Sequence, residues 1–334
     1  MAAREATIIR VGNDELLEQA IKSRAAAAAA SEILEGRLIY VATVLGALCI
    51  GIVFGWAPLA TILETDGVYA SACAGAGTCD EQHVGISVLY TAASGGLLFG
   101  GLPAGMFADA YGAVPTCILS GTFIMLGSLG LALLPPDADA LFIFPLVLLG
   151  SGGMLSFFTC ARVAHMYPKD ETLIFTMINV LFDASAGLPL LFYLLYDGLG
   201  ASRATVFSGY AVYAAGLYAA WCMLFLRHQR RAAAKPAVEA ELAPPSDAEH
   251  ASAPPSSPAE SIAPLEPSCS IREAMTSSPF LLGVTWFLLN ALHSNTYLGV
   301  AKYMLVYLGD ASGTYMQIYT ASLSAAVPFI PAIR

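Results

Sequence analysis

Apolar and polar positions alternate along this chain in long blocks rather than residue by residue. The apolar blocks lie at about 38–63, 85–108, 114–134, 141–164, 172–196, 204–226 and 280–298, and a further block begins near 315. About 20 apolar residues in a row form a helix that crosses a bilayer, and the alternation that marks a barrel strand is absent. Because an open strand edge leaves backbone groups unpaired in lipid, the blocks predict an all-α polytopic membrane protein.

One long polar segment, residues 227–278, divides the blocks into a group of six and a group of two. Its recurring prolines among Ala, Ser and Glu are typical of chain that does not fold. We therefore predict a cytoplasmic N-terminal segment (1–37), a six-helix half (38–226), a disordered cytoplasmic linker (227–278) and a partial second half (279–334). Two six-helix halves joined by a linker are typical of the major facilitator fold, so we expect that fold with a truncated C-terminal half.

Composition supports the membrane interpretation and limits the partners. The 334 residues are 57% hydrophobic and 12% charged, whereas soluble domains carry roughly 25% charged residues. The lipid bilayer is therefore the expected surrounding. The net charge of −10 is not accompanied by a stripe of Lys and Arg, so nucleic-acid binding is not expected. No GxxxxGK[ST] phosphate loop is present, which argues against ATP use, and we expect no cofactor.

Lysine and arginine are distributed unevenly between the loops, which predicts the orientation. The N-terminal segment and the loops after the fourth and sixth blocks carry them, whereas the loop between the first two blocks carries only acids. We therefore expect the N-terminus in the cytoplasm. No cleavable signal peptide is recognised, and we expect a multi-pass protein of the plasma membrane.

Two of the seven cysteines, Cys73 and Cys79, share the loop that this orientation places outside. They are candidates for a disulfide, because disulfides persist on the oxidising side of a membrane. The other cysteines lie in apolar blocks or in the linker and are interpreted as small buried hydrophobes or free thiols. This loop has no CxxC pair and only His83 nearby, so we expect no metal site.

The second and third blocks are joined by Gly105-Met-Phe-Ala-Asp109-Ala-Tyr-Gly112. This segment resembles the signature of the major facilitator superfamily, in which the Asp latches neighbouring helix ends. Ala110 and Ala113 stand where that family usually has basic residues. A gating role for Gly105, Asp109 and Gly112 and a plain helix-capping turn both remain open.

A longer series of short motifs runs along the chain. The motifs are Phe54-Gly-Trp56-Ala-Pro-Leu, Glu64-Thr-Asp-Gly67-Val-Tyr69, Leu102-Pro103-Ala-Gly105, Gly150-Ser-Gly-Gly153, Leu194-Leu-Tyr196-Asp197-Gly198 and Ser278-Pro-Phe. In this order they resemble solute carrier family 43 and the related apicomplexan amino acid transporters. The resemblance covers most of residues 38–334 outside the linker. It implies a carrier, not an enzyme, that moves amino acids, chiefly large neutral ones, by facilitated diffusion.

Asp183 is the most informative candidate for substrate binding. It lies within the fifth apolar block, and an ionisable residue at membrane depth usually faces a cavity. It is suited to a substrate ammonium group, to a guanidinium or to a coupling proton, and a purely structural ion pair is the alternative. Asn179 lies one helical turn before it on the same face. The neutral carriers are expected to have a small polar residue at position 183, so this carboxylate raises the alternative of a cationic substrate.

Further candidates lie in the first, fourth and seventh blocks. Gly55 and Trp56 are expected to wall the cavity, and Trp56 is alternatively an interface anchor. Gly152 and Gly153 could admit a substrate carboxylate to bare backbone, although we favour close helix packing as their role. In the seventh block Asn290, His293 and Tyr297 share one helical face, which predicts a polar stripe directed inward, with His293 able to titrate.

Three other functions remain open at this point. A proton-coupled carrier of another solute would use Asp183 or His293, and an amino acid sensor would bind without flux. The His165-x4-Asp170 spacing also matches acyltransferases, in which the histidine acts as a base. Here it lies in a short loop without the pocket that catalysis requires.

Overall fold

In a computed structural model the chain is described over residues 2–73, 79–242, 273, 276–310 and 314–326. These residues form helices joined by turns, with no strand among them. The helices are α1 (Ala2–Ala47), α2 (Trp56–Thr65), α3 (Asp80–Tyr111), α4 (Ala113–Leu133), α5 (Ile143–Met166), α6 (Glu171–Ala184), α7 (Leu188–Tyr193), α8 (Arg203–Leu242), α9 (Ser278–Tyr307) and α10 (Thr314–Ala326).

Six stretches of the described chain are long and apolar enough to cross a membrane. They are Ala26–Phe54, Asp80–Tyr111, Ala113–Leu133, Pro136–Met166, Glu171–Gly198 and Arg203–Ala233. They coincide with the first six apolar blocks, and α9 and α10 coincide with the last two. The predicted all-α polytopic membrane protein is thereby confirmed.

Three differences from the prediction exceed a few residues. The first span begins at Ala26 rather than at 38. The first block is interrupted, because α1 ends at Ala47 and α2 begins only at Trp56, with a short 3₁₀ turn (Ile52–Phe54) between them. Helix α8 runs on to Leu242 and enters the segment predicted as linker. Its extension is rich in Ala, Arg and Glu, which favour helix. The rest of the predicted linker, apart from a few residues at its C-terminal end, lies outside the described residues.

Helices α3 and α5 pack along a row of small residues. A side chain at Gly96 would meet the backbone of Val147, and one at Gly100 would meet Ser151. Further along the same row, Gly105 lies against the ring of Phe158. In lipid, where helices gain little from burying apolar surface, close approach through glycine is a main source of packing energy.

The last two helices pack against the six-span body at different places. Helix α9 contacts α2 and α3, whereas α10 contacts α2, α6, α7 and the 3₁₀ turn Ser185–Gly187. We use the term seam for this contact between α9 and α10 on one side and the six-span body on the other. The seam therefore runs along the first, second and fifth spans.

One end of the bundle, formed by residues 66–73, 79–80, 134–142 and 198–203, contains both predicted disulfide cysteines and is called the disulfide end. Arg203 is only 5% exposed there. Its Nε donates to Asp66 at 2.5 Å and its other nitrogens donate to the carbonyl oxygens of Leu131 and Leu134. A guanidinium with five donors suits this task, and it ties three spans together. The opposite end, formed by residues 32–37, 109–113, 162–171 and 227–232, is called the basic end.

Candidate functional site

Two spans are broken at the same depth, and the breaks touch. The first span loses its helix between Leu48 and Gly55, and the fifth changes to a 3₁₀ turn at Ser185–Gly187. The amide of Gly51 donates to Ser185 Oγ at 2.7 Å, and a side chain at Gly55 would collide with the carbonyl of Ala186. Irregular backbone at membrane depth is tolerated only where protein or a cavity surrounds it, and transporters bind substrate at such places.

Four of the predicted site residues lie at or beside these paired breaks. Gly55 and Trp56 end the first break, and Asp183 comes just before the second. Gly153 of α5 faces the carbonyl of Ile50, which itself lies in the first break. The sequence pattern did not predict the breaks, but the candidates chosen from it converge on them.

The carboxylate of Asp183 is exposed and makes no hydrogen bond or ion pair with any described residue. Asn179 is exposed one turn earlier, and its amide donates to the carbonyl of Phe175 at 2.8 Å. The structural ion pair considered for Asp183 is therefore not formed with the residues described. The carboxylate is available to a cation that enters between the helices.

The aromatic residue after the first break is enclosed by the seam. Trp56 is 1% exposed and its ring lies 5.3 Å from that of Tyr90. The hydroxyl of Tyr90 donates to Asn295 Oδ1 of α9 at 3.1 Å. Within the described chain the indole N–H of Trp56 has no acceptor, which is unusual, since buried polar groups are nearly always paired.

A buried carboxylate closes the seam near the disulfide end. Glu64 is 8% exposed and forms an ion pair with Lys302 of α9. Its Oε1 also accepts from the Tyr303 hydroxyl at 2.9 Å and lies 3.2 Å from His83 Nδ1. Lys302 is itself 8% exposed. We call these four side chains the Glu64 cluster.

Sequence reasoning missed the Glu64 cluster. Glu64 was counted as a loop acid and Lys302 was not singled out, because the two are 238 positions apart along the chain. A signal was nonetheless present. A lysine in the last third of a membrane helix requires a partner or a route to the surface, and its partner here is Glu64 on another span.

The predicted polar stripe of α9 is on a different face from the seam. Asn290 and His293 are exposed, and the Asn290 amide bonds to the carbonyl of Trp286 in its own helix. Tyr297 contacts the ring of Tyr319 in α10, with centroids 6.0 Å apart. The contacts with the six-span body are made by Asn295, Gly299, Lys302 and Tyr303 instead. A substrate role for the stripe stays a prediction.

The Gly105–Gly112 motif lies at the basic end, where α3 turns into α4. Gly112 has φ +80°, a value that glycine adopts without strain. Asp109 pairs with Arg162 of α5 at 2.6 Å rather than capping a helix. A basic partner is thus present on a neighbouring span, although the expected positions 110 and 113 hold alanine. Because 82% of the Asp109 side chain is exposed, the pair is worth at most about 1 kcal/mol.

Two other candidates have structural neighbours. Gly152 packs against Ile124 of α4, at a helix contact directed away from the breaks. His165 Nδ1 lies 2.7 Å from Glu171 and 57% of its side chain is exposed. The acyltransferase pattern requires the histidine to be oriented by Asp170, so this geometry does not favour it.

Cys73 and Cys79 are joined as a disulfide, with Cα atoms 5.8 Å apart. The loop that bears them is held by Asp139, which accepts from the Tyr69 amide at 2.7 Å and from Ser71 Oγ at 2.8 Å. Partial burial, and next the charge of Asp139, raise the pKa of the Tyr69 hydroxyl. The N-terminal side of this loop is therefore tied to Asp139, in the turn before α5.

Comparison with known proteins found relatives among membrane transporters. The chain is 24% identical over 157 residues to the equilibrative nucleobase transporter 1 of Bos taurus, covering 44% of this chain and 32% of that protein. It is 28% identical over 148 residues to amino acid transporter 6-1 of Toxoplasma gondii, covering 44% and 26%. It is 23% identical over 188 residues to arginine transporter 1 of the same organism, covering 52% and 35%.

The chain thus matches about a third of the length of these relatives. No family model matches the sequence, and no solved structure matches it. Each of these three relatives is named as a transporter.

Proposed function

We propose that this chain belongs to a facilitative amino acid carrier with a major facilitator arrangement, in the plasma membrane and with a cytoplasmic N-terminus. Two of its relatives are named as an amino acid transporter and an arginine transporter. The six-span body with α9 and α10 across its first, second and fifth spans supports the arrangement. The order of the short sequence motifs supports the same family.

The observation that carries the proposal is the pair of touching helix breaks with Asp183 beside them. An amino acid brings one ammonium and one carboxylate, and both must be satisfied when it leaves water. The ammonium is placed against Asp183, which has no partner in the described chain. The carboxylate is placed at the first break, beside the Trp56 indole N–H, which has no acceptor in the described chain.

Alternating access requires the seam to open at one end and then at the other. The Glu64 cluster joins α9 to the first two spans near the disulfide end. In this arrangement that end is closed, and transport requires the Glu64–Lys302 pair to separate. The Asp109–Arg162 pair at the basic end joins α3 to α5 within the six-span body and does not cross the seam.

The substrate side chain is the finer question. Phe54 and Phe182 meet edge to face across the two breaks, with centroids 5.4 Å apart, and they provide an apolar wall that favours large neutral side chains. Asp183 favours a cationic side chain instead, if it binds the side chain rather than the α-ammonium. Every amino acid has an α-ammonium group that needs a carboxylate partner, and we assign Asp183 to that group. No described carboxylate is then assigned to the side chain, so we favour large neutral amino acids.

Uptake of labelled leucine, phenylalanine, arginine, lysine and adenine into oocytes tests the proposal. Both the 334-residue chain and any longer product of its transcript are expressed, with surface biotinylation as a loading control. We expect leucine and phenylalanine uptake that does not depend on sodium and that falls in Asp183→Asn. A matched control is Asp80→Asn, which removes an exposed acid far from the breaks.

The outcomes are distinct. If uptake prefers arginine or lysine and this preference is lost in Asp183→Asn, the chain is a carrier of cationic rather than large neutral amino acids. Adenine uptake without amino acid uptake makes the solute a nucleobase. Surface-expressed protein that takes up none of these solutes contradicts the proposal, and amino acid binding without flux then indicates a sensor.

A further inference from the structure

A cavity of about 1010 Å³ lies at the basic end, between α1, α6 and α8. Its walls are mainly apolar and include Ile33, Val41, Leu173 and Met177. Three of these side chains are more than half exposed, with Ile33 at 60%, Val41 at 52% and Leu173 at 62%. The volume is at the upper end of the range of about 300–1,000 Å³ seen for small-molecule sites. The occupant therefore has to be large and largely apolar.

The charged groups of this cavity leave one cation without a partner. Glu35 is 7% exposed and pairs with Arg231 at 2.8 Å, with His228 Nδ1 at 4.0 Å. Burial, and next the charge of Glu35, raise the pKa of the Tyr167 hydroxyl, so it stays a neutral donor. Arg37 lines the same cavity, is exposed and has no ion-pair partner among the described residues.

Acidic groups also line the cavity, so its mouth carries both signs of charge. Asp170 and Glu32 line the same cavity as Arg37. A guanidinium binds phosphate through two parallel hydrogen bonds, and a carboxylate is suited to an ammonium group. This combination fits a zwitterionic headgroup better than a singly anionic one.

The cavity is separate from the proposed substrate site. Its wall on α6 includes Leu173 and Met177. Asn179 lies six positions after Leu173, and Asp183 lies six positions after Met177. Six residues turn an α-helix by about 240°, so the two sets face different directions. The cavity is also bounded by α8, which does not contribute to the paired breaks.

We infer that this cavity is a binding site for a zwitterionic phospholipid of the leaflet at the basic end. Its acyl chains lie along the apolar wall, where exposed side chains are continuous with the membrane-facing surface. Its phosphate is bound by Arg37, and its ammonium group lies near Asp170. The Glu35–Arg231 pair closes the far side of the headgroup pocket and keeps Arg231 from competing for the phosphate.

Native mass spectrometry of the full chain tests this inference. The protein is reconstituted with equal amounts of phosphatidylethanolamine and phosphatidylglycerol, extracted in mild detergent, and its bound lipids are counted. We expect phosphatidylethanolamine to be retained preferentially, with affinity about tenfold lower in Arg37→Gln, as for loss of one charged hydrogen-bonding partner. Val41→Trp fills the apolar wall and is expected to lower retention as well.

Arg230→Gln is the matched control, because Arg230 is exposed on α8 at the same end but does not line the cavity. Thermal melting of each variant separates loss of lipid from loss of fold. Equal retention in the wild type, Arg37→Gln and Val41→Trp would overturn the inference, and so would preference for phosphatidylglycerol. Uptake is not part of this readout, so the lipid site and the transport proposal are tested separately.

Discussion

Replacing Glu64 by Gln removes the charge that holds α9 to the first span. Lys302 is then left with its ammonium buried and without a counter-charge, while the carbonyl oxygen of the glutamine still accepts from Tyr303 or His83. In a seam that has opened at this end, water solvates all these groups. The substitution therefore destabilises the closed seam selectively and has little effect on the open one.

The size of the effect follows from the burial of the pair. Glu64 and Lys302 are each 8% exposed, and removing one partner of a buried pair costs about 3–5 kcal/mol. His83 is 31% exposed and admits some water beside the carboxylate, so we take the lower value. About 3 kcal/mol corresponds to a shift on the order of 100-fold in the equilibrium between closed and open seams.

Labelling of an engineered cysteine measures that shift. Ser87 lines a cavity of about 470 Å³ beside Tyr303, and Ser87→Cys introduces the thiol to be labelled. The substitution is made in a Cys269→Ser background. The free cysteines that remain among the described residues are buried and should not react. A maleimide added from the disulfide end should react much faster in Glu64→Gln than in the parent. Lys302→Met should restore slow labelling when combined with Glu64→Gln, because no unpaired charge then remains. Equal labelling rates in the parent and Glu64→Gln, with Asp137→Asn as control because Asp137 is exposed at the same end but does not line this cavity, would refute this argument.

Three further predictions concern the body of the protein. Gly153→Leu should lower the melting temperature measured by size-exclusion fluorescence, because its side chain would strike the backbone of the first break. Overpacking of this kind costs about 1–3 kcal/mol or more. Gly209→Leu is the control, because a side chain at Gly209 meets open space. Arg203→Met should destabilise the fold by about 3–5 kcal/mol, because it leaves Asp66 and two carbonyls unpaired, and unchanged melting would contradict it. Cys73 and Cys79 should resist maleimide until reductant is added, and free reaction of both thiols without reductant would exclude the disulfide.

The helices could be predicted from sequence because the membrane imposes a length and an apolar composition on each of them. The limits of α4 differ from the predicted block 114–134 by a single residue at each end. The break in the first span could not be predicted in the same way. Apolar composition continues through Leu48–Gly55, and what interrupts the helix is the approach of Ser185 and Ala186 from another span.

The candidate site was predictable where a single residue violates the chemistry of its surroundings. Asp183 is such a residue, because a carboxylate within an apolar block needs a specific reason. Partners that are distant in sequence were not predictable. Glu64 and Lys302 each lie near the end of a span, where charged residues are common, and only the packing of α9 on α2 reveals that they form one buried pair.

The face that α9 presents to the body shows why counting polar residues was insufficient. Asn290, His293 and Tyr297 form a regular polar stripe, yet helix packing in lipid depends first on how closely the backbones approach. Gly299 is the residue of α9 that allows this, because a side chain there would lie 2.6 Å from the ring of Tyr90. Asn295 and Lys302 lie four positions before and three after it, on the same face. The glycine therefore sets the rotation of α9, and the polar groups on that face are the ones for which the body supplies partners.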